Sequence, residues 1–140
     1  MARTPFRVEV LTPEGEVFND EVEMVSTRTA VGSIGILAHH QPLLAMLDPA
    51  ELRLHRSEGD VLRFAQGEGF LQVSEAQVLL LVDELQEPGS LDAADLRDRL
   101  RSAEEHLTTC AEGSEEQRVA KRDQRRYQTW LGIIEGGAGR

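Results

Sequence analysis

The hydrophobic residues of this chain change their spacing once, and that change limits the folds open to it. From Phe6 to Val82 apolar side chains recur mostly at every second position between turn-forming residues, whereas after Pro88-Gly89 they recur at intervals of three and four. A period of two buries one face of an extended strand, and a period near 3.6 buries one stripe of a helix. Two parts are therefore expected, a strand-built region over residues 1–87 and a helical region over residues 88–140.

In the first part Phe6, Val8 and Val10 alternate with Arg7 and Glu9, and Thr12-Pro13-Glu14-Gly15 turns the chain. Val17-Phe18 and then Val22, Met24 and Val25 predict further strands. The stretch from Gly32 to Leu44, GSIGILAHHQPLL, predicts a shaped loop containing strand pieces. Gly32 and Gly35 permit sharp bends or positive φ there, and Pro42 holds Gln41 extended. Asp48-Pro49 breaks the chain again, after which Leu52 and Leu54 alternate with Arg53 and His55. Ser57-Glu58-Gly59-Asp60 has the composition of a hairpin turn that returns through Val61 to Ala65. Gly67 and Gly69 kink the path into Leu71 to Val73, and Val78-Leu79-Leu80-Leu81-Val82, apolar on both faces, predicts a central strand covered from both sides. Short strands at about eight- to twelve-residue spacing predict a sandwich or flattened barrel.

The second part opens with a breaker, Pro88-Gly89, and Ser90 is the expected N-cap. Asp92 and Asp95 place negative charge where the helix dipole favours it. Ala93, Leu96, Leu100, Ala103, Leu107 and Cys110 then form one narrow seam, which Gly113 is expected to end. Ser114-Glu115-Glu116-Gln117 has the form of a capping box, opening a second helix that runs to Gly136-Gly137. On it Ala120, Tyr127, Leu131 and Ile134 share one side. A rotation of about 100° per residue sets Arg118, Lys121, Arg122, Arg125 and Arg126 roughly opposite. The fold class expected is α+β: an N-terminal all-β sandwich followed by a C-terminal antiparallel two-helix hairpin. A seam this thin stabilises little against a backbone ordering cost of about 1 to 2 kcal/mol per residue, so the hairpin is expected to lean on another surface and to be exchangeable between surfaces.

Charge and composition exclude several functions. A net charge of -10 opposes a general nucleic-acid binder. The single cysteine, Cys110, rules out an intramolecular disulfide and fits a reducing compartment. The N-terminus lacks the apolar core of a signal peptide, and no stretch approaches the ~20 apolar residues of a membrane helix. His39-His40 could suggest a metal pair or a catalytic base, but neighbours in an extended segment point to opposite faces, so packing or a loop hydrogen bond is expected. His106 and Cys110 are four apart on a helix without further ligands in view, which favours a buried thiol over a metal pair. Asp83 and Glu84 are adjacent carboxylates with no nucleophile, base and oxyanion donors around them, so no catalytic residues, metal or cofactor are expected. Trp130 is expected in core or interface packing. The basic face reads by itself as a solvated helix surface.

Three stretches resemble the epsilon subunit of F-type ATP synthases. The first is the G-x-x-G-apolar run with His-x-Pro-Leu, here Gly32, Gly35, Ile36, His40, Pro42 and Leu43. The second is the glycine-rich strand entry and apolar strand closing on aspartate, here Gly67 to Val73 and Val78 to Asp83. The third is Leu91-Asp92 followed by Ala103-Glu104-Glu105-His106. The resemblance spans nearly the whole chain in order. It implies a non-catalytic rotor subunit, one copy per complex, on the cytoplasmic face of the bacterial plasma membrane and membrane-associated only through the complex.

By the same resemblance the sandwich binds the gamma subunit and touches the c ring, while the hairpin either folds against the sandwich or extends toward the alpha and beta subunits and restrains ATP hydrolysis. Gly32, Ser33, Gly35, Ile36, Leu37, His39, His40, Pro42 and Leu43 are then the rotor-docking loop, and Arg118, Lys121, Arg122, Arg125 and Arg126 an inhibitory basic face for an acidic partner. Two departures stand out. Some bacterial members open the first helix with Ile/Leu-Asp-x-x-Arg-Ala, which takes part in binding ATP; here Leu91 and Asp92 are present but Asp95 and Leu96 follow, so the motif is incomplete and little nucleotide binding is expected. Many members also carry an acidic residue at the Ser33 position and Gly or Asn at the His39 position. A sandwich adaptor whose hairpin binds some other multiprotein complex is the alternative reading.

Overall fold

The computed structural model describes residues 3–136. Its strands are β1 (Phe6–Thr12), β2 (Gly15–Val22), β3 (Met24–Thr29), β4 (Gly32–Ile36), β5 (Leu43–Leu47), β6 (Ala50–Ser57), β7 (Asp60–Gln66), β8 (Gly69–Val73), β9 (Val78–Val82) and β10 (Leu85–Gln86). A 3-10 turn at Pro88–Ser90 precedes α1 (Ala93–Thr109) and α2 (Glu115–Glu135). The chain divides into two compact units, Met1–Glu87 and Pro88–Arg140.

The first unit is one curled sheet in the order β10-β7-β6-β3-β5-β8-β9-β1-β2, with β4 attached to β3. Its turns follow from local chemistry. Thr12 pairs with Gly15 and Ser57 with Asp60, leaving the two-residue connections Pro13-Glu14 and Glu58-Gly59. Gly59 sits at φ 80°, a conformation that a side chain disfavours. Curling brings the inward residues of distant strands together: Val8, Val10, Val25, Ile36, Leu52, Leu54, Leu71 and Leu80 belong to one buried cluster. A polar tie runs through it. Buried Gln66 accepts a hydrogen bond from Thr27 Oγ1 at 2.8 Å and donates from Nε2 to the Asp48 carbonyl at 2.7 Å, so β7, β3 and the turn before β6 are linked with both amide atoms satisfied.

The strand-then-helix layout is as the spacing predicts, but three local expectations, on β9, on the N-cap of α1 and on its end, are corrected. β9 is covered on one face only: Val78, Leu80 and Val82 are buried, while Leu81 is exposed. The N-cap of α1 is Asp92, whose carboxylate accepts the Ala94 N–H at 3.0 Å; Ser90 is taken up by the 3-10 turn. α1 ends at Thr109, before Gly113, so Cys110 is its extended C-cap and leaves the helical seam. α2 ends at Glu135 with Gly136 as C-cap; Gly137, the other half of the expected stop, lies outside the described residues.

Within the second unit, Ser114 Oγ accepts the Gln117 N–H at 3.1 Å, as a capping box requires, while Gln117 Oε1 takes the Gly113 N–H at 2.7 Å instead of the cap's own. Arg97 at the start of α1 pairs with Glu135 at the end of α2, which sets the antiparallel sense of the hairpin. Leu96, Ala103, Ala120 and Leu131 are buried, and the small residues on the seam leave an open cleft of about 500 Å³ bordered by Arg99, Ala103, Val119 and Tyr127.

Candidate functional site

The stretch between β3 and β5 builds one end of the sandwich. Gly32 stands at φ 141° where the β3–β4 hairpin closes, and Thr29 Oγ1 donates to its carbonyl at 3.0 Å. Gly35 has ordinary strand geometry; a Cβ there would lie 2.9 Å from Met24 Cε, so this glycine makes room for a neighbouring side chain and does not supply a bend. After β4 the chain turns, with the His40 N–H donating to the Leu37 carbonyl at 3.3 Å and His39 at φ 66°. That turn corrects the extended geometry expected for His39-His40.

His40 Nδ1 donates to the Gln41 carbonyl at 2.8 Å, a loop hydrogen bond, while His39 is exposed. Among the described residues no group of three or more His, Cys, Asp or Glu is placed to hold a metal ion. The loop faces the β8–β9 turn, where Ser74 N–H donates to the Gln77 carbonyl at 2.9 Å, across a cleft of about 480 Å³ that includes Phe6, Leu37, Pro42 and Glu75. Leu37 is 46% exposed, Pro42 and Ser33 are exposed and Leu43 is half-buried. Ile36 is fully buried in the core, because strand alternation turns it inward; it supports the loop from beneath and is not a contact residue.

A second surface follows directly from this loop and was not read from the sequence. On the outer face Met46 pairs with Phe70, Phe70 with Leu81, and Leu81 with Leu11, a row of apolar residues across β5, β8, β9 and β1. The next row on that face runs Leu44, Gln72, Leu79, Glu9 and Asn19. Leu44 is 73%, Met46 62%, Phe70 51% and Leu81 43% exposed. The only earlier signal was the double-sided hydrophobicity of Val78 to Val82, which fits a strand whose second face awaits another molecule as well as one already covered.

The expected basic face of α2 is narrower than the helical projection predicts. Arg126 is buried, with its guanidinium 5.8 Å from the Trp130 ring, since its position flanks the apolar stripe and does not oppose it. Arg122 is half-buried and hydrogen-bonds Asp123 at 3.1 Å. Arg118 is exposed and bonds Glu115 at 3.0 Å, which holds the Glu115 carboxyl below the usual carboxylate range. Lys121 and Arg125 are the exposed remainder of the five. Leu91 is half-buried, Asp92 is engaged as the cap, and Asp95 pairs with Arg99 at 3.0 Å, so the two carboxylates at the incomplete nucleotide motif serve the helix itself.

The sandwich, its end loop and the capped hairpin together define a chain of the delta/epsilon class of ATP synthases: residues 5–88 match the family described as ATP synthase, Delta/Epsilon chain, beta-sandwich domain. An ATP synthase epsilon chain from Sulfurihydrogenibium sp. (strain YO3AOP1) is 32% identical over 128 residues, covering 91% of this chain and 96% of that one. This chain belongs to the ATP synthase epsilon chain family. Its fold is also that of a chain in the Euglena gracilis mitochondrial ATP synthase OSCP/F1/c-ring structure, with a TM-score of 0.81 at 17% identity over 93% of this chain and 81% of that chain. A chain of the Tetrahymena thermophila mitochondrial ATP synthase central stalk/c-ring structure aligns with a TM-score of 0.61 at 15% identity over 96% and 99%. Among the described residues no helix is long and apolar enough to cross a membrane.

Proposed function

We propose that this chain is the non-catalytic central-stalk subunit that couples gamma to the c ring, at the cytoplasmic face of the bacterial membrane and in one copy per complex, and that its hairpin restrains ATP hydrolysis. Membership of the epsilon chain family carries this reading. The end loop supports it by presenting Ser33, Leu37, His39 and Pro42 on a rigid base formed by Gly32, Gly35, buried Ile36 and half-buried Leu43, with His40 bonded within the loop. A hairpin that carries its own caps and its own seam is a separable element, suited to leave one surface for another and to extend toward alpha and beta.

Lys121 and Arg125, exposed and flanked by Arg118 and Arg122, form the basic surface of α2 that an acidic partner would meet. Arg126 is better read as a packing residue, and reversing its charge would disturb the hairpin itself. The carboxylate of Asp95 in place of a phosphate-binding cation argues for weak nucleotide binding; a micromolar dissociation constant for ATP by calorimetry on the isolated chain would overturn that.

Copurification with gamma, followed by ATPase assays of the assembled enzyme with and without residues 88–140, tests the whole reading. Deletion of the hairpin is expected to raise hydrolysis, and the pair Lys121→Glu and Arg125→Glu to raise it in part. Hydrolysis that ignores the deletion removes inhibition from the hairpin's role. Failure to copurify with gamma removes the rotor role itself.

A further inference from the structure

We infer that Arg99 and Tyr127 form a clasp that holds the open end of the hairpin shut, with Asp95 as the positioning residue that aims Arg99, so that α1 and α2 part by swinging about the turn at 110–114 once the clasp is released. Such a clasp sets what keeps the proposed regulatory hairpin closed, and its effect on hydrolysis rests on that proposal. Asp95 belongs to the stretch in which the nucleotide motif is incomplete, and its carboxylate Oδ2 accepts from Arg99 Nε one turn further on at 3.0 Å. The Arg99 guanidinium lies over the Tyr127 ring of α2, 5.9 Å from its centroid. Tyr127 in turn meets buried Trp130 edge-on, with centroids 6.2 Å apart and 78° between the planes. A cation steered by its own helix onto a ring braced by a second ring joins the helices without needing an ion pair between them.

The contacts that join the two helices are unevenly placed. Of the described residues of α1, Leu96 and Ala103 alone are buried. From Ala103 toward the turn, Ala103, Val119 and Ala120 border the cleft, so small side chains leave the helices underpacked there and forfeit dispersion contacts. At the opposite end stand Arg97 with Glu135 and Arg99 with Tyr127. The Arg97–Glu135 pair is exposed on both sides, 55% and 43%, and contributes little in water. The Tyr127 ring is half-buried, so the cation above it is screened less by salt. A hairpin fastened at the end away from its turn opens like a jackknife. Cys110 and Ser114 are extended and Gly113 stands at φ 79°, so the turn is able to absorb the swing without unwinding either helix.

Pulsed electron paramagnetic resonance on the full chain tests this, with Cys110→Ser and nitroxides on Ala94→Cys and Gln128→Cys, exposed positions on α1 and α2. The intact clasp is expected to give one predominant short distance. Arg99→Met and Tyr127→Leu, which retain apolar bulk and helix propensity, are each expected to raise the population at longer distance about two- to fivefold, and the double variant no further than either alone. Asp95→Asn is expected to raise it when Tyr127 is present and to change nothing in the Tyr127→Leu chain, which separates aiming of Arg99 from a general role in the helix. Helical circular dichroism is expected to stay constant throughout. An unchanged distance in Arg99→Met and Tyr127→Leu, or effects that add in the double variant, overturns the clasp and leaves the regulatory reading standing. Lost helical signal assigns these residues to helix formation and overturns it as well. In the assembled enzyme the same variants are expected to slow ATP hydrolysis by up to the same factor, since the parted hairpin is the form proposed to extend toward alpha and beta. Longer distances without slower hydrolysis support the clasp and overturn the hairpin's restraint of hydrolysis.

Discussion

His39 holds a left-handed backbone conformation, φ 66°, that costs an ordinary side chain roughly 1 kcal/mol and costs Gly or Asn much less. Gly or Asn at this position would relieve that backbone cost. His39→Asn is expected to stabilise the sandwich by about 1 kcal/mol, read as a higher urea midpoint at unchanged slope. Gly69 is governed by space: a Cβ would lie 1.9 Å from the Leu81 carbonyl oxygen, so Gly69→Ala forces β8 and β9 apart and should destabilise by about 3 kcal/mol or more, measured by the same titration. His55 adds a pH dependence. Burial first, then Arg3 and Arg53, push its pKa below 6.5, so the folded chain favours the neutral ring. The unfolded chain binds the proton more readily, and stability present above the unfolded value is lost as pH falls through the folded one. Acidification from neutrality should erode stability slightly, and His55→Gln should flatten that part of the profile; the half-exposed ring keeps the effect small.

At the scale of elements, α1 depends on its cap. Asp92→Ala removes the acceptor for the Ala94 N–H and should cost about 1 kcal/mol of hairpin stability, seen as faster amide exchange in the first turn, with Asp92→Asn recovering most of it. Asp92 also shows why sequence locates elements better than their ends. Ser90 and Asp92 are both cap-type residues two positions apart, and only the 3-10 turn at Pro88–Ser90 decides between them. The strands were readable because turn residues punctuate them and alternation marks their inner faces, as at Val8 and Val10 or Leu52 and Leu54. What covers an outer face was not readable. The run Val78 to Val82 is apolar throughout, and the curl of a ten-stranded sheet, set by pairings distant in sequence, determines that Leu81 looks outward. Likewise a helical projection assigns Arg126 an angle but does not know how wide the buried stripe is. In the end loop, the positive φ at Gly32 was anticipated from glycine chemistry, whereas the one at His39 carries no such signature.

For the whole molecule, the buried cluster of the first unit runs, among the described residues, from Val8 to Val82. Residues 1–87 expressed alone should keep a β-type circular dichroism spectrum and unfold in one cooperative transition; a fragment that is unfolded or aggregates would show that the sandwich needs the rest of the chain. The parallel ladder between β1 and β9 has a further consequence, in the order of synthesis. Val8 is matched to Val78, so the first strand to leave the ribosome cannot gain its second neighbour until almost all of the sandwich has been made. Throughout that wait the β1–β2 hairpin travels with an open edge and an unfinished apolar face. Glu9, Glu14, Glu16, Asp20 and Glu21, clustered in this hairpin against the one cation Arg7, give the nascent segment the net like charge that keeps one waiting edge from pairing with another. The acidic margin of the finished sandwich thus also protects the half-made one.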